Sequence, residues 1–283
     1  MGLSWLIVGL ATVAAAVGLL WRSGPGGFPA ATVRGDTVQL YGRGLYHHDT
    51  LFTAGGAQGT DAVVLLLGIP LLVASTLRYR YSSPRRRLLH TGLLTFFLYV
   101  YASAALGTVA FNELFPIYVA LFSASLFAVA LSGTSVDLAA LPRTMPRRGP
   151  AWFLYASGAV TLLVWGVPLV AALASGGIPA RLDTYTTEVT VALDLATVTP
   201  LTFLAGALIL RRQVLGYVLA VPLLVLETML APLIAAQTVG QLAAGVRLTP
   251  GEIVGPLAGF LVLAGCAGWF LAAIIRHLKE NRS

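Results

Sequence analysis

The sequence predicts an all-α fold: a polytopic membrane bundle of about eight helices in one domain spanning residues 1–283. Three observations carry this. Of 283 residues 57% are hydrophobic and only 10% charged, with a mean hydropathy of +0.84. A soluble domain carries about 25% charged residues, so a chain this poor in charge cannot cover a water-facing surface. The apolar residues gather into runs near the ~20 residues that cross a bilayer, and most basic residues fall in short connections between those runs.

Hydropathy places the spans near 3–21, 61–78, 88–110, 115–135, 152–174, 191–210, 213–236 and 255–275. The first offers small residues in VAAAVG, as a cleaved leader would, but MGLSW lacks the basic stretch that precedes such a leader, so it reads as a span. The second opens at Asp61, contains Pro70 and closes at Arg78. The sixth opens at Asp194, contains Pro200 and closes at Arg211. Both have a 17-residue Asp-to-Arg spacing, about 26 Å of helix. Each follows a longer connection on one side and precedes a basic one on the other. Two four-helix halves of the same orientation, a parallel 4+4 repeat, would produce this pattern; so would convergence, since any helix running that way can start polar and end with arginine.

Orientation follows from the basic residues. One side holds Arg78, Arg80, Arg85, Arg86, Arg87, Arg143, Arg147, Arg148, Arg211, Arg212, Arg276, Lys279 and Arg282; the other holds Arg22, Arg34, Arg43, Arg181 and Arg247. Thirteen against five, mostly in short loops, puts both termini in the cytoplasm of a cell-membrane protein and the stretch YGRGLYHHDT (41–50) outside. The net charge of +7 is thus a topology signal, with the lipid bilayer as the partner and no nucleic acid implied.

The polar residues collect at the outer ends of the spans. Arg43, His47, His48, Asp49, Asp61, Asn112, Glu113 and Asp194 are the candidate outer cluster, with Tyr41, Tyr46, Arg181, Asp183 and Glu188 nearby. Roofed by the first connection, they would form a polar vestibule suited to ligand capture, with Arg43 pairing with Asp61, Glu113 or Asp194. His47, His48 and Asp49 carry donor types that suit zinc, but adjacent residues diverge on a strand or a helix, and no metal site is assigned. Glu227, in PLLVLETMLAP between Pro222 and Pro232, is the candidate intramembrane ionisable group. Such a group is a functional-site hypothesis by default: it could relay a proton, bind a cation, or partner a hydroxyl on another helix. Tyr99, Tyr101 and Tyr118 read as aromatic packing or as the lining of a pathway.

The stretches GTDAVVLLLGIPLL, FLYVYASAALG, FNELFPIYVALFSASLFA and LDLATVTPLTFLAGALILRRQVLGY resemble a group of bacterial multi-pass membrane proteins of unassigned function. The resemblance runs from about Tyr41 to Leu219. It implies an integral membrane protein and supplies no catalytic residues.

Other chemistries find no footing. Cys266 is the single cysteine, which excludes an intramolecular disulfide and a thiolate zinc site. The one lysine, Lys279, lies in the C-terminal tail, where a retinal Schiff base cannot form. No GxSxG, HExxH, paired-carboxylate or phosphate-loop pattern occurs, so no cofactor is assigned. Three classes of function remain. Prolines in paired helices, Glu227 and the outer acids favour a small-solute or ion transporter. Short loops without motifs favour a non-catalytic subunit or scaffold with a membrane protein partner. The composition of the first connection favours an intramembrane enzyme with an outward site.

Overall fold

The computed structural model describes residues 1–79, 83–142, 144–179 and 182–278. Eight helices among them are long and apolar enough to cross a membrane: α1 (Gly2–Leu20), α2 (Leu51–Arg78), α3 (Pro84–Thr108), α4 (Phe115–Thr134), α5 (Arg148–Ala174), α6 (Val189–Leu210), α7 (Leu215–Ala243) and α8 (Pro250–His277). The only paired strands among the described residues are β1 (Phe28–Ala31) and β2 (Thr37–Leu40), an antiparallel hairpin with Phe28 opposite Leu40. The protein is therefore an all-α, multi-pass membrane protein.

The largest departure from the hydropathy boundaries is in α2, which begins ten residues early, at Leu51. The added stretch, LFTAGGAQGT, is too rich in glycine to read as a span. It is helical because its glycines face a neighbour. Gly59 lies against Ala236 of α7, where an added Cβ would stand 2.3 Å from the Ala236 carbonyl oxygen; at Gly240 of α7 it would stand 2.1 Å from that of Gly55. Gln237 donates to Thr60 across the same seam (2.9 Å). Small residues let two backbones approach this closely in a membrane. Thr50 caps the helix, accepting from the Thr53 amide.

The helices pack as two halves in one order. In the first, α1 packs on α2 and α4, α2 on α3, and α3 on α4; in the second, α5 packs on α6 and α8, α6 on α7, and α7 on α8. α7 joins them by packing on α2 and α3, and the Val189 end of α6 reaches α3. Successive spans alternate in direction, so corresponding helices run the same way, as a parallel repeat requires. The third helix of each half is central: two thirds of the apolar stretch of α3, and as much of α7, is buried inside the protein, against 11% for α5 and 22% for α8.

α2 and α6 share a second feature. Each contains a π-turn, Val64–Gly68 in α2 and Asp194–Val198 in α6, beginning six residues before Pro70 and Pro200. Proline cannot donate to the preceding turn, and its ring crowds the carbonyl there; a wider turn accommodates both. Measured from these prolines, Asp61 lies three residues, about one turn of helix, further away than Asp194. The equal Asp-to-Arg spacing therefore does not match the spacing of the π-turns and prolines.

Candidate functional site

The GRG of the opening stretch is a backbone crossing. Gly42 and Gly44 have φ of +68° and +52°. A Cβ on Gly42 would stand 1.9 Å from the Gly26 carbonyl oxygen, and one on Gly44 1.9 Å from that of Trp21. The Gly44 amide donates to Ser23 (2.6 Å) and the Gly26 amide to Gly42 (3.2 Å). Only glycine takes these φ values without strain at such contact. The crossing folds the connection back over the bundle and divides its side chains: Arg43 and His48 face outward, while Tyr46, Asp49 and Thr50 are buried.

Asp49, fully buried, ties together three connections at one end of the bundle. Its Oδ1 accepts from the Ala110 amide (2.8 Å), between α3 and α4, and from the Tyr185 hydroxyl (2.5 Å), between α5 and α6. Its Oδ2 is buried without a partner among the described residues. Burial pushes its carboxyl up to about 7, against the opposing effect of the Tyr185 and Ala110 hydrogen bonds. Burial and the Asp49 charge hold the Tyr185 hydroxyl well above the usual phenol range.

Beneath it, Tyr46 donates to Oδ2 of Asp61 (2.6 Å). Burial and the Asp61 charge raise the Tyr46 hydroxyl, which keeps it a donor. Tyr118 of α4 lies beside this pair, and Tyr101 of α3 stacks on Tyr118 at 6.3 Å between ring centroids. α1 passes over the carboxylate at Gly18, where a Cβ would stand 2.0 Å from Asp61 Oδ2 and 2.8 Å from the Tyr46 hydroxyl. Asn112 is buried, its Oδ1 accepting from the Leu114 amide (3.0 Å) and its side chain reaching Tyr118.

The remaining residues of the expected outer cluster do not converge. Glu113 is exposed. His47 packs between Phe28 (5.1 Å) and His48 (4.7 Å), and no group of three or more His, Cys, Asp or Glu comes together among the described residues. Arg43 does not make the expected ion pair: it is exposed and meets no carboxylate among the described residues. The acids it was to neutralise take neutral donors, Tyr46 at Asp61 and Trp165 at Asp194 (2.9 Å). Arg181 lies outside the described residues.

Two carboxyls belong to the second half. Asp194, in the π-turn of α6, is held by the Trp165 indole of α5 and lies beside Tyr99 of α3. Glu227 is buried near the midpoint of α7, with 2% of its surface exposed. Ser157 of α5 donates to its Oε1 (2.5 Å), and Oε2 is buried without a partner among the described residues.

Sequence reading missed His90 of α3. Its Nδ1 lies 2.8 Å from the Ser75 hydroxyl of α2 and its Nε2 3.1 Å from that of Ser4 of α1. Ser75 also reaches the Leu72 carbonyl (2.9 Å), so His90 joins hydroxyls of α1 and α2 through its two ring nitrogens. Beside it, Ser132 of α4 bonds Thr91 (2.7 Å) and Tyr79 bonds Ser135 (3.0 Å). A cavity of about 90 Å³ opens against Ser4, His90 and Ser132. The signal was present: a histidine within an apolar run marks a site by the same rule as Glu227. Nothing in the sequence singles out Tyr185, Trp165 or Ser157 as partners.

No protein-family model, characterised protein or solved structure matches this chain.

Proposed function

We propose that the protein is a transporter of a small solute or ion, with Glu227, Asp61 and Asp194 as the groups that exchange protons or hold the coupled cation. One observation carries this reading. Three carboxyls, Asp61, Asp194 and Glu227, lie past the first turn of spanning helices, and each takes a hydrogen bond from a neutral donor on another element, with Arg22 acting on Asp61 only through its charge. An acidic residue at the centre of a span costs roughly 2.5–3.5 kcal/mol on insertion. A purely structural bundle has no use for that cost when leucine or phenylalanine fills the position. The interrupted helices add support. α2 and α6 break their regular ladder at corresponding points, and discontinuous helices in repeated halves are where transporters bind their ions. Both termini are assigned to the cytoplasm and the 22–50 connection to the outside.

Two experiments test this. With Cys266 replaced by alanine, a cysteine at Thr37 is expected to react with a membrane-impermeant thiol reagent in intact cells, and one at Gln213 only after permeabilisation; the reverse pattern overturns the orientation. In proteoliposomes carrying a pH gradient, a panel of amino acids, sugars, organic acids and monovalent cations is expected to include a solute that evokes a protein-dependent current. Silence across the panel, together with co-purification of a stoichiometric membrane partner, supports the subunit reading instead.

A further inference from the structure

Between α3 and α8, at the arginine-rich end of the bundle, lies an open groove of about 500 Å³. Its walls are apolar, from Leu89 of α3 and from Leu271 and Ile275 of α8, and Gly268 and Ala272 hollow the α8 side. Its rim carries two guanidinium groups. Arg85 stands in the first turn of α3 and Arg276 in the last turn of α8. Arg276 donates from Nε to the Ala272 carbonyl (3.2 Å), which lays its side chain along its own helix at the groove. Neither arginine pairs with a carboxylate among the described residues. In the described connections at this end the one acidic residue is Asp137, which caps the Ala139 amide (2.9 Å).

We propose that this groove binds an anionic phospholipid, its phosphate between Arg85 and Arg276 and an acyl chain along Leu89, Leu271 and Ile275. Charge and depth select the occupant. Basic side chains at a helix end lie at headgroup level, the walls below them lie at acyl depth, and basic pockets between spans favour anionic headgroups. A zwitterionic lipid fits the walls but brings its own cation to the arginines. A free phosphate satisfies the rim and leaves the walls empty. The site is separate from the buried carboxyls and does not depend on the transport reading.

Native mass spectrometry of the full chain in detergent, titrated with phosphatidylglycerol or phosphatidylcholine, tests it. Phosphatidylglycerol is expected to bind preferentially. Each of Arg85→Gln and Arg276→Gln should weaken it roughly fivefold, and the pair roughly 25-fold. Ala272→Trp, which keeps both charges and blocks the hollow, should also weaken it. Arg211→Gln with Arg212→Gln, basic but outside the groove, should leave it unchanged. Equal binding of the two lipids, undiminished binding in the double variant or in Ala272→Trp, equal loss in the Arg211/Arg212 control, or equally tight binding of glycerol 3-phosphate would each overturn the proposal. If the double variant does not fold, Ala272→Trp and the lipid comparison decide it.

Discussion

Phe96 in α3 and Glu227 in α7 stand the same twelve residues from the start of the third helix of their half, and both are buried. The halves share their packing order, their central third helix and the π-turn before a proline in their second helix. They do not share chemistry. The first half is sealed at that level by Phe96 and Phe97, with Leu94 and Leu121 around them. Its polar groups lie toward the ends: Asp49, Asp61 and Tyr46 under the connection between α1 and α2, and His90 with Ser4 and Ser75 at the opposite end. The second half has a carboxyl at the level where the first has an aromatic ring. The two halves share a packing order; the residues by which they differ are where function is to be sought.

The seam between the halves offers the largest test of this comparison. Gly240→Leu drives a side chain into the Gly55 backbone and should destabilise the protein in detergent by about 3 kcal/mol or more, whereas Gly255→Leu, with nothing within 4 Å of the added Cβ, should change the thermal midpoint little. Equal effects at the two sites would mean that the halves are not held at the α2–α7 crossing. Next in size is Gly18→Ala, which places a methyl against the Asp61 carboxylate and should cost about 2 kcal/mol; a silent substitution would show that Asp61 and Tyr46 do not meet under α1.

Asp49 sharpens the comparison, because it links connections of both halves through Ala110 and Tyr185. Its folded carboxyl is raised from 3.8 to about 7, so between those values the folded state binds more protons than the unfolded one. Stability should therefore fall as pH rises from about 4 to about 7 and then level off. Asp49→Asn still accepts from Ala110 and Tyr185 and cannot ionise. It should flatten that slope and stabilise the protein at pH 8 by about 1–2 kcal/mol, less than the full shift implies because the amide leaves a buried donor unpaired. Thermal midpoints of both proteins from pH 4 to pH 8 check this; parallel curves would contradict it.

Much of the fold was legible because the bilayer sets it: a helix must be long and apolar enough to cross, and arginines must lie between spans. What escaped reading depends on partners. The first ten residues of α2 are capped by Thr50 and set Gly55 and Gly59 against α7, a contact that hydropathy cannot see. The hairpin follows from a turn at Gly35, with φ of +89°, between two strands too short to stand out. The Asp-to-Arg spacing suggested paired helices, yet the feature α2 and α6 share in the structure is a π-turn six residues before a proline. Of YGRGLYHHDT, the sequence identified a polar segment but not that Tyr46 and Asp49 turn inward while Arg43 and His48 face outward. Glu227 declared itself as a lone acid in an apolar run; its donor, Ser157, is one serine among many.

The most direct test of the account is Glu227→Gln in proteoliposomes, measured for solute-evoked current under a pH gradient and for thermal stability in the same preparation. The amide keeps the acceptor for Ser157 but cannot titrate. The account predicts that the variant folds with a thermal midpoint close to that of the parent and carries no coupled current. A stable Glu227→Gln protein with undiminished current would contradict it.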